Sequence, residues 1–212
     1  MNILRYLGAG IFLSLGWLAR GQFGHEHGAL IPGFMAAAAL AVLMKGESWK
    51  RSFAQSVVWS AIGFSLGGGF SFGKLVGGIT AGASLSTGAN EWLQVFSIGA
   101  VWGGLGMTFL GYSLVLEGGL RDRLIYLGTA ALVWAGNNHF HLTNHQALLL
   151  GALGFFGLWF YNLAIKRHWA ACVFGVSGFL GFGLAFVVSV LCLYFGEREM
   201  LGPVWWQMSD WL

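Results

Sequence analysis

Seven stretches of this chain are almost free of charge, and this feature limits what the chain can fold into more than any other. Each stretch is apolar and contains at most one charged residue. They cover residues 3–19, 28–44, 52–73, 92–116, 124–136, 147–165 and 169–196. Only 9% of the 212 residues are charged, whereas a water-soluble domain carries about 25% charge. The sequence therefore predicts an all-α, polytopic membrane helical bundle of about seven transmembrane helices.

The 35 glycines and 11 tryptophans of the chain fit a packed membrane bundle. Glycine lets two helices approach closely, and tryptophan anchors helix ends at the membrane interface. Gly63 with Gly67, and Gly99 with Gly103, are four residues apart, which predicts close helix crossings at both pairs. The net charge of +3 comes from short basic runs between the apolar stretches, so nothing in the sequence points to a nucleic-acid partner.

The basic residues between the stretches predict how the chain is oriented. When the stretches are threaded alternately through a membrane, Lys and Arg residues divide eight to three between the two sides. The side of the N-terminus has Arg5, Lys45, Lys50, Arg51, Arg121, Arg123, Lys166 and Arg167, and the other side has Arg20, Lys74 and Arg198. Because the cytoplasmic side is the more basic one, the N-terminus is expected inside and the C-terminus outside. We expect a multi-pass protein of the plasma (inner) membrane.

We expect residues 1–212 to form a single integral membrane domain. The predicted elements are three helix hairpins at 3–44, 52–116 and 124–165, a last helix at 169–196, and an interfacial tail at 197–212. The segment 74–90 is too rich in glycine and polar residues for a confident span. A re-entrant or surface excursion is expected there instead.

Three of the predicted helices are shorter than a bilayer requires. The first offers 14 residues between Arg5 and Arg20, the fifth offers 13 before Asn137, and the second offers 13 if it begins at Pro32. A span needs about 20 apolar residues. We therefore expect the segment 20–33 to dip below the outer surface as non-helical backbone. Such backbone is tolerated at membrane depth only where it is buried in protein or lines a wet cavity.

Polar and titratable residues gather at the predicted outer ends of the helices. Five of the six histidines lie there, together with carboxylates and amides. The candidate ligand-binding residues are Arg20, Gln22, His25, Glu26, His27, Glu91, Asn137, Asn138, His139, His141 and His145. Amides and imidazoles can hydrogen-bond a polar ligand or carry protons. The convergence of these residue types on one side is the main functional signal in the sequence.

Two histidine-rich motifs also raise the hypothesis of a metal site. His25 and His27 flank Glu26, and residues two apart share a side only in extended backbone. Neutral imidazoles and carboxylates are zinc ligands, so His25, His27, His139 and His145 are the candidate metal ligands. A proton-linked or substrate-binding role, and simple interfacial packing, stay open as alternatives. Farther along the chain, Thr143 and Gln146 form a capping-box pattern, which predicts a helix start with His145 in its first turn.

Arg20 lies at the end of a short predicted helix, where an arginine either reaches the interface or pairs internally. Glu26 and Glu91 are the carboxylates available on that side, so we expect an ion pair with one of them. Glu91 also sits at a predicted helix start, where the helix dipole alone favours a carboxylate.

Three classes of function remain open from the sequence. The first is a small permease or channel-like protein with an outward-facing His/Glu/Asn site for a small polar ligand or ion, with protons as a candidate coupling ion. The second is a membrane redox protein or enzyme whose outer histidines hold a metal or a haem. The third is a structural subunit whose glycine-rich faces pack against a second copy or against partner membrane subunits. The sequence identifies no cofactor and no catalytic residue.

Overall fold

A computed structural model describes residues 3–23, 28–43, 48–68, 89–114, 119–138, 142 and 144–195. Within these residues the chain forms seven helices, which confirms the predicted all-α class. They are α1 (Ile3–Phe23), α2 (Leu30–Leu43), α3 (Ser48–Gly68), α4 (Ala89–Ser113), α5 (Leu120–Asn138), α6 (Asn144–Phe160, continued by a π-helix over Tyr161–Lys166) and α7 (Trp169–Phe195). Each predicted stretch overlaps one of these helices. Of the predicted excursion at 74–90, residues 89 and 90 belong to α4, and the rest lies outside the described residues, as does the tail at 197–212.

Three of the helices contain segments that are long and apolar enough to cross a membrane, by length and composition. These segments are Trp92–Ser113 in α4, His145–Lys166 in α6 and Trp169–Cys192 in α7. Shorter apolar segments occur in α1, α2 and α3, at Leu7–Arg20, Leu30–Ala41 and Phe53–Gly67.

The ends of two helices differ from the sequence expectation. α1 continues through Arg20 to Phe23, and α2 begins at Leu30, two residues before Pro32. The segment 20–33 is therefore helical at both ends, and the prediction of non-helical backbone was wrong there. Pro32 is accommodated because the first four amides of a helix have no acceptor within the helix, so its missing N–H loses no helical hydrogen bond.

Contacts between neighbouring helices show that they run antiparallel. Ser113, at the end of α4, hydrogen-bonds Ser56 near the start of α3, while Trp102 lies beside Gly67 near the end of α3. In the same way Gly33, near the start of α2, faces Ser60 of α3. The ends of α1, α3 and α5 therefore meet the beginnings of α2, α4 and α6. We call this end of the bundle the Arg20 end, and the opposite one the Asp122 end.

α4 is the central helix of the bundle. It packs against α3, against α6 and most extensively against α7, and every residue from Ile98 to Gly106 is buried. Glycine makes this packing close, as the four-residue spacing predicted. A Cβ atom at Gly99 would overlap Phe186, and one at Gly103 would overlap Phe182 and the backbone of α7. Gly63 and Gly67 likewise lie directly against Phe109 and Trp102 of α4.

The outer surfaces of α6 and α7 are apolar. Leu149, Leu153 and Phe156 on α6, and Leu184 and Val188 on α7, are all more than half exposed. A monomeric soluble protein rarely exposes contiguous apolar surface on this scale. The exposed faces belong to two of the three helices that are long enough to cross a membrane.

A methyl group added at Gly178 of α7 is expected to destabilise the fold. Its Cβ would overlap the carbonyl oxygen of Gly103 and the side chain of Met107, and overpacking of this kind costs about 1–3 kcal/mol. Gly181 is one turn away, with no atom within 4 Å of an added Cβ. Gly181→Ala should be neutral or stabilising, because alanine is the better helix former by about 1 kcal/mol. Thermal unfolding of the two variants in detergent makes the comparison, and equal midpoints would contradict the close α4–α7 contact.

Candidate functional site

Arg20 is a charged residue enclosed within the bundle. Only 2% of its surface is exposed, although it lies three residues before the end of α1. Its guanidinium carbon is 5.1 Å from the ring centroid of Trp17 and 4.9 Å from that of Trp102. The faces of aromatic rings carry partial negative charge and attract a cation. The two tryptophans therefore stabilise the guanidinium in a place that excludes water.

Trp102 is itself held firmly by three other helices. Its indole N–H donates a hydrogen bond of 2.7 Å to the backbone oxygen of Phe64 in α3. Its ring contacts Trp17 of α1 edge-on, with centroids 5.1 Å apart, and Phe186 of α7, with centroids 5.7 Å apart. Gly67 leaves the space that the indole fills, since any Cβ there would overlap the ring. The Trp102 indole that contacts Arg20 is thus fixed in position by residues of α1, α3, α4 and α7.

Arg20 lies at a depth well inside the bundle. Trp102 follows the first residue of α4, Ala89, by thirteen positions, which corresponds to about 20 Å along the helix axis. The outer turns of α4 therefore extend beyond the guanidinium. The sequence had placed Arg20 at the end of a short helix; the packing places it within the described core.

The start of α2 is buried near the same depth. Ala29 packs in the apolar cluster that contains Trp102, and Pro32 is also buried. A Cβ at Gly16 of α1 would contact Pro32, and Arg20 lies on the same face of α1, one turn farther toward the start of α2. Helix N-termini carry partial positive charge. The guanidinium and the start of α2 therefore both bring positive charge to this part of the interior.

The structure describes only part of the predicted outer site. His25, Glu26, His27, His139 and His141 lie outside the described residues. Gln22, Glu91, Asn137 and Asn138 lie on helical backbone at the Arg20 end, in the last turns of α1 and α5 and the first turn of α4, and their side chains are not among the described ones. His145 occupies the first turn of α6, as predicted, and is exposed.

The metal hypothesis and the ion pair of Arg20 with Glu26 or Glu91 stay predictions. Of the four candidate metal ligands only His145 is described. Among the described residues, no three His, Cys, Asp or Glu side chains converge as a metal-binding set. The tryptophans around Arg20 were not predicted as site residues. Trp17 was visible in the sequence, three residues before Arg20 on the same helix face, whereas nothing in the sequence marked Trp102.

A second buried polar cluster lies at the Asp122 end, and the sequence analysis missed it. Asp122, in the first turn of α5, is 2% exposed. Its carboxylate accepts a hydrogen bond of 2.5 Å from the Tyr161 hydroxyl and pairs with the Lys166 ammonium at 2.9 Å. Burial alone would raise the pKa of Asp122, but the hydrogen bonds from Tyr161 and Lys166, with the nearby positive charge, bring the pKa below its usual value.

The π-helix makes this arrangement possible. Tyr161 and Lys166 are five residues apart, and in an α-helix their side chains would point roughly 140° away from each other. A π-helix closes hydrogen bonds between residues five apart, which brings both side chains to one face. The segment ends at Arg167, whose φ of 57° is left-handed. π-helical turns occur frequently at functional sites.

A second set of contacts lies beside Asp122 and reaches α4. Asn162 donates to the Tyr126 hydroxyl at 2.7 Å, and the Tyr126 ring stacks on Tyr112 with centroids 4.0 Å apart. Two buried atoms in this cluster have no hydrogen-bond partner among the described residues: Oδ1 of Asn162 and Nδ1 of His168. Burial lowers the pKa of His168, an effect that Asp122 opposes. The cluster fastens α5, the π-helix and α4 to one another.

Acidification is expected to weaken this cluster. Because the folded-state pKa of Asp122 is depressed, its contribution to stability is present above the unfolded-state pKa of about 3.9 and is lost as the pH falls through the folded value. Asp122→Asn should lower the free energy of unfolding at pH 7 by about 1.5–3 kcal/mol, since it removes charged hydrogen bonds. Between about pH 5 and pH 3 the wild type should lose stability as Asp122 becomes protonated. The variant should lose less stability over the same pH range.

Asp210→Asn, at the only other aspartate in the sequence, makes the same chemical change elsewhere. Thermal unfolding of both variants across this pH range provides the measurement. Identical profiles for Asp122→Asn and the wild type would show that the Asp122 cluster has no such role.

Comparison with known proteins assigns the chain to no family. No family model, curated protein or solved structure matches it. The chemistry of the two buried clusters, one around Arg20 and one around Asp122, is therefore the basis on which a function can be argued.

Proposed function

We propose that this chain is a small multi-pass membrane permease or channel-like protein that binds a small polar ligand or ion at its Arg20 end. The observation that carries the proposal is the guanidinium of Arg20, enclosed between Trp17 and Trp102. An ionisable side chain inside a membrane bundle is expensive, and such residues mark ligand and ion pathways. Residues of four helices fix the Trp102 indole that contacts this guanidinium. Such fixed positioning of a cation is typical of a binding site.

The proposal takes all seven helices as spans, with the N-terminus in the cytoplasm and the chain in the plasma membrane. α4, α6 and α7 are long and apolar enough for this. α1, α2 and α3 have shorter apolar segments, and the proposal takes these helices as short spans. The antiparallel packing of neighbouring helices and the eight-to-three distribution of Lys and Arg support the orientation.

The ligand that suits this site best is an anion. Arg20 contributes a full positive charge, and the buried start of α2 adds the positive end of a helix dipole. The residues that would complete the site are Gln22, His25, Glu26, His27, Asn138, His139 and His145. Among them, Glu26 and the histidines would carry the coupled protons. Histidine changes its charge between about pH 5 and pH 8, so anion movement coupled to protons should be pH-dependent.

One observation favours the alternative of a structural subunit. Ser177, Gly181, Ala185 and Ser189 follow one another at four-residue spacing on α7, and they line a groove of about 450 Å³ between α7 and α1. Small residues at this spacing allow a second helix to approach closely. Metal or haem binding by His25, His27, His139 and His145 stays the other alternative.

The swelling of proteoliposomes tests anion permeation. Vesicles containing the protein are placed in iso-osmotic potassium chloride, formate or phosphate with valinomycin, and swelling is followed by light scattering. We expect faster swelling than in protein-free vesicles in at least one salt, and at least a tenfold loss of that rate in Arg20→Gln. Arg121→Gln, which removes an exposed arginine at the other end, should retain the rate.

Equal rates for protein-free, wild-type and Arg20→Gln vesicles in all three salts would contradict the proposal. Circular dichroism and size-exclusion chromatography of Arg20→Gln separate a loss of permeation from a loss of folding. A protein that permeates none of these anions but forms a stable dimer or larger assembly would favour the structural alternative.

A further inference from the structure

We infer that a groove between α5 and α6 holds one acyl chain of an anionic phospholipid whose phosphate contacts Arg121. This inference rests on the membrane location proposed above, and it is independent of permeation. The groove is far from Arg20 in the sequence and shares no lining residue with the cavity between α1 and α7.

The groove is an open, apolar channel along the side of the bundle. Its volume is about 260 Å³; Ile125, Thr129 and Val133 line it on α5, and Leu153 and Gly157 line it on α6. Thr129 has the one hydroxyl among these residues. It donates a hydrogen bond of 2.9 Å to the backbone oxygen of Ile125, so its donor is already satisfied within the helix. A Cβ built at Gly157 meets no atom within 4 Å. The surface therefore suits a hydrocarbon chain.

A basic residue marks the Asp122 end of this groove. Arg121 is exposed and precedes Ile125 by one helical turn, so it continues the α5 wall of the groove. It is close enough to Tyr161 to interact with it electrostatically. Tyr161 follows Gly157 of the opposite wall by one turn. The guanidinium of Arg121 thus lies where the headgroup of a lipid in the groove would be.

The surroundings of Arg121 are positively charged. Arg123, Lys166 and Arg167 lie at the same end, and Asp122, which is paired with Lys166, is the only carboxylate among the described residues there. In the proposed orientation this end faces the cytoplasm, where anionic lipids attract clusters of Lys and Arg beside membrane helices. Charge complementarity therefore favours a lipid with a net negative headgroup.

The combination of apolar walls with an arginine at one end favours a lipid over other occupants. An apolar partner helix would cover the walls of the groove but would give the Arg121 guanidinium no anionic group. A free phosphate would need Arg121 but would leave the apolar walls uncovered. An anionic phospholipid fills the groove with its chain and meets Arg121 with its phosphate.

Lipid titration of the purified protein in detergent, read by native mass spectrometry, tests the inference. The probes are phosphatidylglycerol and phosphatidylcholine with identical acyl chains. We expect the wild type to bind phosphatidylglycerol at least tenfold more tightly. Arg121→Gln should lose at least fivefold of this preference. Arg123→Gln makes the same charge change two residues on, roughly 200° around the helix, and should keep the preference.

A second pair of variants tests the groove itself. Gly157→Leu fills it and should weaken the binding of both lipids. Gly10→Leu is the matched control, because Gly10 of α1 is equally open and does not line the groove; it should bind both lipids as the wild type does.

Equal affinity for the two lipids, equal effects of the two arginine variants, or unchanged binding in Gly157→Leu would each overturn the inference. Full competition by inorganic phosphate would identify a phosphate site instead of a lipid site. Because this titration uses no ion flux, lipid selectivity without vesicle swelling would reject the permease proposal alone. Swelling without lipid selectivity would reject the lipid site alone.

Discussion

The burial of the Arg20 guanidinium is the constraint on which much of this architecture depends. A charge removed from water carries a large desolvation penalty unless it is compensated. Trp17 and Trp102 supply compensation with their ring faces, and Trp102 can do so because Phe64 fixes its indole and Gly67 makes room for it. Four helices must therefore be positioned correctly before the charge can be accommodated, so folding of the core and formation of the site are the same event.

The two polar clusters at opposite ends of the bundle differ in how their charges are balanced. Asp122 is balanced within the protein by Lys166 and Tyr161, an arrangement that locks helices together. Arg20 is balanced at least in part by aromatic faces, which attract a cation without forming the strong directional hydrogen bonds of a carboxylate. The Asp122 cluster therefore serves to hold helices together. The Arg20 cluster places a cation beside two aromatic faces and near the start of α2, and it is the one to which we assign ligand binding.

The helices could be predicted from the sequence because charge is nearly absent from seven stretches and concentrated between them. The glycine pairs at four-residue spacing also identified real crossings, since a missing Cβ matters wherever two backbones meet. Helix ends were less predictable: α1 runs past Arg20 to Phe23, because arginine is itself a good helix former and its charge does not end a helix. The Asp122 cluster was missed for two reasons. The helix dipole alone explains a carboxylate in the first turn of a helix. The sequence of residues 161–166 also gave no indication of a π-helix. The outer histidine site remains a prediction from sequence.

A double-mutant cycle between Arg20 and Trp102 tests the central claim most directly. The free energies of unfolding of Arg20→Met, Trp102→Leu and the double variant are measured in detergent, with Trp59→Leu as the control for losing a buried tryptophan in the other apolar cluster. If the indole stabilises the buried guanidinium, Arg20 and Trp102 should be coupled by at least about 1 kcal/mol, and Arg20 and Trp59 should be additive. Additive effects of Arg20→Met and Trp102→Leu would contradict the account.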